Sequence, residues 1–166
     1  MDTSELIESR CRELISIASC AGLTVCTAES LTAGLVTSSI AAIPGASAVL
    51  KGGSVVYCDH VKHVVLDVSN DTLERHTAVS GECACEMARG ALRLYGADVA
   101  VSLTGYAGPG VGERGESPGT VYIGMCLKGS SPRSELFCFS GDRNEVREKA
   151  TAMALKRLLA ACMELS

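Results

Sequence analysis

Asp98-Val99-Ala100-Val101-Ser102-Leu103-Thr104 is the segment that most narrows what this chain can fold into. Its apolar residues run almost without interruption, as in a strand at the centre of a sheet covered on both faces. The flanking segments supply the covers. Leu6, Ile7, Cys11, Leu14, Ile15 and Ala18 recur at helical spacing and stop at Gly22. Leu35, Val36, Ile40 and Ile43 repeat that period until Pro44-Gly45. Ser80 caps a helix that carries Met87, Ala88, Ala91 and Leu92 and closes at Gly96. Asp142 with Glu145 opens a last helix with Val146, Ala150, Leu155 and Leu158 on its apolar side.

Between these lie the remaining expected pieces. Leu23 to Cys26 and Gly53 to Tyr57 read as strands, and Asp59 reads as the cap of a short helix. Asn70 to His76 reads as another short helix. Thr120 to Leu127 and Glu135 to Phe139 form a hairpin around Lys128 to Pro132. Helices alternating with strands, followed by a hairpin, predict a three-layer α/β/α sandwich with a mixed β-sheet. The whole chain, 1–166, is expected to be one domain, large enough to bury a core without metal or disulfide staples.

Composition then excludes whole classes of function. Fifteen Lys+Arg against 19 Asp+Glu give a net charge of −4, the reverse of a nucleic-acid-binding footprint. Apolar stretches break well short of the ~18 residues that a membrane helix needs, so no membrane partner is expected. Nine cysteines, an odd number with no C-x-x-C pair, read as free thiols in a reducing cytosol. The N-terminal residues lack the basic and apolar regions of a secretory signal, so a cytoplasmic location is expected. Cys58, His60 and His63 are the nearest approach to a metal-ligand cluster, and they do not close a site; no metal or cofactor is expected.

Ligands in such folds bind beyond the carboxyl ends of the strands. Three segments fall there: 27–34, 57–62 and 104–112. Ser30 lies in a run of small residues between a strand and a helix, where backbone N–H groups stabilise an attacked carbonyl. The same position equally suits an N-cap, by Ser30 or Thr32. Lys62 is the available base, since a lysine in a closed apolar site loses its proton near neutral pH. Otherwise it is a solvated helix lysine, and Tyr57 a half-buried strand end. The stretch Thr104-Gly105-Tyr106-Ala107-Gly108-Pro109 lets backbone approach a ligand, or is a flexible surface loop. Arg143 opens the last helix, where a cation gains nothing from the dipole; an anionic ligand or a nearby acid would account for it.

Taken together, these motifs resemble a known family. Thr27-Ala28-Glu29-Ser30-Leu31-Thr32-Ala33-Gly34 resembles the T-A-E-S-C-T-G-G motif of the CinA C-terminal domain family. Gly53 to Tyr57 with Lys62 is similar to its G-x-x-x-Y-S-N-x-x-K segment, and Ala78-Val79-Ser80 to its A-V-S. Thr104 to Pro109 is similar to T-G-I-A-G-P, Gly119-Thr120-Val121 to G-T-V, and Phe139 to Arg143 to F-x-G-x-R. The motifs follow in order along nearly the whole chain.

The resemblance implies an α/β sandwich, often a homo-oligomer, that needs no metal or organic cofactor. It also implies the activity of the family's nicotinamide-nucleotide amidases in pyridine-nucleotide salvage. These hydrolyse nicotinamide mononucleotide to nicotinate mononucleotide and ammonia. Ser30 would attack and Lys62 would serve as its base, with Tyr57 and Thr104 aiding proton transfer and positioning. Thr104 stands as the alternative nucleophile. Backbone N–H groups from Leu31 to Gly34 would hold the oxyanion. Glu29, Thr32, Ala33, Gly34, Gly105, Ala107, Gly108 and Arg143 would bind substrate, with Arg143 and the glycine loop on the phosphate. Tyr57 and Tyr106 are the rings placed to face a pyridine.

The chain departs from the pattern at Leu31 and Ala33, at Cys58-Asp59 and at Glu116-Ser117-Pro118. Asp59 is expected to raise the pKa of Lys62 and so slow it. The N-terminal molybdopterin-binding-like domain of larger members has no counterpart in these residues, so a stand-alone amidase is expected. A catalytically silent mononucleotide- or partner-binding domain is the alternative.

Overall fold

The computed structural model describes residues 2–166 and contains one five-stranded sheet in the order β2-β1-β3-β4-β5. The strands are β1 Val25–Glu29, β2 Leu50–Val55, β3 Val99–Tyr106, β4 Thr120–Leu127 and β5 Arg133–Cys138. β1 runs parallel to both β2 and β3, and the β3-β4-β5 side is antiparallel, so the sheet is mixed. The helices are α1 Thr3–Ala21, α2 Leu35–Ala41, α3 Asp59–Leu66, α4 Asn70–Arg75, α5 Gly81–Tyr95 and α6 Arg143–Leu165. The three-layer α/β/α sandwich expected from the sequence is the fold observed.

Alternation along β3 divides the core. Val99, Val101 and Leu103 face α1, α2 and α6, joined by Leu14, Ile40, Leu155 and Leu158. Ala100 faces the other layer, with Cys26 and Ala28 of β1 against Met87, Ala88 and Ala91 of α5. That second interface is close because its sheet residues are small. Ser102 Oγ donates to the carbonyl of Ala84 at 2.6 Å. A side chain at Gly124 of β4 would run into that same carbonyl.

Sequence signals located the helix ends well. Asp2 and Glu5, and Asp142 and Glu145, form reciprocal capping boxes on α1 and α6. Gly22 and Gly96 end α1 and α5 in the left-handed conformation. Several expected bounds shift, β5 to Arg133–Cys138 among them. β1 begins at Val25 rather than Leu23, because the Asp98 carboxylate captures Thr24 just before the strand, and it continues through the polar Thr27 and Glu29. β2 ends at Val55, so Tyr57 lies beyond the strand. Cys58, not Asp59, holds the cap position of α3, and it makes no side-chain cap bond.

Glu29 ties the first strand to the helix that follows. Its side chain is fully buried. Oε2 accepts from the N–H groups of Gly34 and Val36 at 3.0 and 3.1 Å. Oε1 accepts from Thr37 N–H at 2.8 Å and Thr37 Oγ1 at 2.6 Å. A carboxylate thus satisfies the open donors at the start of α2. Residues 30–33 are left as a tight turn between strand and helix. Glu29→Ala strips the acceptor from three N–H groups, one buried and two partly buried, at about 1–3 kcal/mol each. Urea unfolding is expected to show a loss of at least ~3 kcal/mol, with a smaller loss for Glu29→Gln; an unchanged midpoint contradicts the role.

Candidate active site

The chain leaves β1 toward β2 on one side and reaches β3 on the other, so strand order reverses between β1 and β3. The crevice outside their carboxyl ends is where open α/β sheets bind ligands. A cavity of about 350 Å³ occupies it. Ser30, Tyr57, Gly105, Ala107 and Arg143 line this cavity, completed by Leu31, Val79, Tyr106, Glu113 and Glu116. A wider groove beside α5, lined by Thr72, Glu86 and Arg89 among others, has no comparable Ser–Lys contact.

Lys62 enters from the first turn and a half of α3 and is 1% exposed. Its Nζ lies 3.2 Å from Ser30 Oγ and 3.3 Å from the carbonyl oxygen of Tyr57. Burial lowers its pKa below the ordinary 10.5, outweighing the opposing influence of Cys83, Asp59 and Cys58. Asp59 does act in the expected direction, raising the lysine's pKa, but burial outweighs it and the net shift is downward. The carboxylate stands 4.0 Å away with half of its side chain exposed, so solvent screens it while Nζ is desolvated. Cys83 does not hold the ammonium either, because burial pushes its thiol up to about 12 and keeps it neutral.

The other walls are held by Arg143. Nη1 donates to the carbonyl of Gly108 at 2.8 Å and Nη2 to Tyr57 Oη at 2.9 Å. The glycine-rich segment is less loose than its composition suggests. Gly105 and Tyr106 belong to β3 and pair with Val121 and Thr120. A side chain at Gly105 would strike the carbonyl of Thr120. Tyr106 Oη donates to the carbonyl of Pro109 at 2.7 Å, and Gly112 N–H donates to that of Glu116 at 2.9 Å.

Several residues singled out in the sequence stand elsewhere. Glu29 is committed to the start of α2, and Gly34 N–H is one of its partners. Thr32, fully buried, and Ala33, exposed, belong to the turn beside the cavity without lining it, and Gly108 contributes a carbonyl to Arg143. Thr104 Oγ1 donates to the carbonyl of Ala78 at 2.7 Å and makes no hydrogen bond to Ser30 or Lys62. His63 Nδ1 contacts the carbonyl oxygen of Val68, and among the described residues no cluster of His, Cys, Asp and Glu is arranged to hold a metal. Sequence reasoning missed Arg147, whose Nε and Nη2 reach the carbonyls of Leu31 and Thr32 at 2.9 and 3.2 Å. The available signal was its spacing, four residues after Arg143 and so on the same side of α6.

Lys62 also makes stability depend on pH. With its folded pKa lowered, the unfolded chain binds more protons between that value and 10.5. Stability from this group therefore rises with pH across that window and is lowest below it. Lys62→Met is expected to be more stable than wild type at neutral pH and to lose this alkaline rise. Urea unfolding at a series of pH values checks both; parallel curves for the two proteins contradict the assignment.

Comparison with known proteins follows the same lines. The model of the CinA C-terminal domain matches residues 8–162. A competence-damage inducible protein of Shouchella clausii is 49% identical over 138 residues, which is 83% of this chain and 33% of that protein. A CinA-like protein of Thermotoga maritima is 42% identical over 135 residues, 81% of this chain and 33% of that protein. The chain spans about a third of the length of the curated relatives it matches. Among solved structures, competence damage-inducible protein A of Klebsiella pneumoniae superposes with TM-score 0.89 at 36% identity, over 96% of each chain. A CinA superfamily protein of Escherichia coli gives 0.91 at 36% identity, over 97% of this chain and 92% of that one. Motif order, sheet topology and these matches agree: the chain belongs to the CinA C-terminal domain family.

Proposed function

We propose that this chain is a nicotinamide-nucleotide amidase, releasing ammonia from the carboxamide of nicotinamide mononucleotide by a Ser/Lys mechanism. The observation that carries the reading is the contact between Ser30 Oγ and the buried amine of Lys62 beside the switch-point cavity. Ser30 Oγ attacks the carboxamide carbon as its proton passes to neutral Lys62. The resulting oxyanion is held by the N–H groups of Leu31 and Thr32. The C–N bond then breaks, the amine takes the proton from Lys62, and ammonia leaves an ester on Ser30. Water attacks this ester, giving a proton to Lys62, which returns it to Ser30 as the carboxylic acid departs. Amide and water are consumed, acid and ammonia are formed, and no cofactor enters a step.

Tyr57 and Tyr106 flank the space for the pyridine ring, and Arg143 stands nearest a phosphate. A lowered lysine pKa is what a base working near neutral pH requires. The reaction belongs to salvage in the cytoplasm, and the chain would work as a homo-oligomer like others of its family. One observation favours the second reading, a silent mononucleotide- or partner-binding domain. Arg143 is already engaged by Gly108 and Tyr57, and two carboxylates, Glu113 and Glu116, share its wall.

Ammonia release from nicotinamide mononucleotide decides between them. Wild type is expected to turn over, and Ser30→Ala and Lys62→Ala to lower kcat by about 10³-fold or more. Thr104→Ala, with its hydroxyl turned to Ala78, should lose far less. Nucleotide binding by calorimetry without release above the Ser30→Ala level establishes the binding-domain reading instead.

A further inference from the structure

We propose that Arg147 is a positioning residue that aims the backbone donors of the oxyanion site. The inference rests on the Ser30 and Lys62 roles above and adds what sets the turn between them and α2. Arg147 lies on α6, half-buried, one turn beyond Arg143. Its Nε donates to the carbonyl of Leu31 at 2.9 Å, Nη2 to that of Thr32 at 3.2 Å, and Nη1 to Asn144 Oδ1 at 3.1 Å. The fork thus grips two successive peptide carbonyls directly after Ser30.

Peptide geometry converts that grip into direction. A trans amide is planar, with its C=O and N–H pointing to opposite sides. The carbonyl of Leu31 shares its peptide unit with the N–H of Thr32. Drawing that oxygen toward α6 turns the Thr32 N–H away from α6. The carbonyl of Ser30 accepts from Ala33 N–H at 3.0 Å, which in the same way turns the Leu31 N–H outward from the turn. A cation on the carbonyl also polarises the amide and strengthens its N–H as a donor.

The remaining donors of the turn are already used. Ser30 N–H bonds to the carbonyl of Leu103, Ala33 N–H to that of Ser30, and Gly34 N–H to Glu29. Among the described residues, the N–H groups of Leu31 and Thr32 are the two in this turn with no protein acceptor. Both residues are buried, Leu31 at 4% and Thr32 at 0% exposure. The hydroxyl of Thr32 is likewise without a partner. Buried N–H groups are nearly always paired, so the two left open directly after a candidate nucleophile, Leu31 on the cavity wall and Thr32 enclosed beside it, are the donors assigned to the oxyanion. The N–H of the residue after the nucleophile serves this way in strand-to-helix nucleophile turns.

Docking of α6 does not depend on this arginine. Val146, Ala150, Leu155, Leu158 and Cys162 are buried along the helix. The test compares wild type, Arg147→Met and Arg147→Lys in three measurements. These are kcat and KM on nicotinamide mononucleotide, the rate of Ser30 phosphonylation by a fluorophosphonate, and the thermal midpoint. In the phosphonylation, Ser30 Oγ bonds to phosphorus, fluoride leaves, and the serine proton passes to Lys62. The phosphoryl oxygen needs the same donors, whatever amide the enzyme prefers.

Arg147→Met is expected to lower kcat about 100-fold, leave KM within about twofold, and slow phosphonylation in parallel. Arg147→Lys should recover part of both rates, and the pH dependence set by Lys62 should not move. Unchanged rates, a loss in KM alone, or a loss that follows a lowered midpoint overturns the proposal. If wild type is phosphonylated without releasing ammonia, the substrate reading fails while the Arg147 comparison still decides this one. Absence of Ser30 labelling in wild type overturns both.

Discussion

The buried carboxylate of Glu29 is the constraint from which the site's shape follows. A fully enclosed carboxylate persists only when its oxygens are satisfied, and here backbone N–H groups of α2 and the Thr37 hydroxyl do that. The bonds lock the end of β1 to the beginning of α2 across a turn only a few residues long. Ser30 is the first residue of that turn, and its own N–H is held by β3. Its hydroxyl therefore emerges at a position set by the sheet. A nucleophile carried on a free loop would lose much of the advantage of fixed geometry.

α6 supplies the second constraint from the opposite side. Its capping box fixes where the helix begins, and its first two turns carry Arg143 and Arg147. Through them one rigid element holds the carbonyl of Gly108, the hydroxyl of Tyr57, and the carbonyls of Leu31 and Thr32. Those contacts reach the segments following β3, β2 and β1 respectively. The three loops are thus referenced to a common helix as well as to their strands, which keeps a cavity open between them. Arginine suits this use because its planar fork addresses two acceptors at once.

The sequence carried some of this and not the rest, for definable reasons. Caps such as Ser80 and Asp142, and the β4 bounds Thr120–Leu127, depend on neighbours within a few residues, and they were legible. The layer order followed from the doubly apolar β3. The structural ties of Glu29 were not legible because full burial of a carboxylate is rare, and most of its partners are backbone groups that leave no mark in side-chain patterns. Thr104 was drawn toward the chemistry by its motif, but alternation along β3 turns it to the α5 side, where Ala78 takes its hydroxyl. Spacing could put Arg147 on the Arg143 side of α6, but not show its acceptors, which are carbonyls more than a hundred residues earlier in the chain. Spacing placed Lys62 on α3, yet only packing could show that its amine is sealed from water.

That sealing lowers the lysine's pKa although a carboxylate three residues away acts in the opposite direction. Among the described residues, only neutral acceptors, Ser30 Oγ and the Tyr57 carbonyl, lie within hydrogen-bond reach of Nζ. They replace water incompletely, so the ammonium is disfavoured relative to the amine. Asp59 sits in the first turn of α3, where a negative charge is favoured by the helix dipole and where solvent already satisfies it. Turning it inward to meet Nζ would forfeit both and would create a tight pair that keeps the proton on the lysine. The start of α3 therefore does two things at once: it stabilises its own helix with an exposed carboxylate, and it keeps that carboxylate far enough away that desolvation of Lys62 outweighs it.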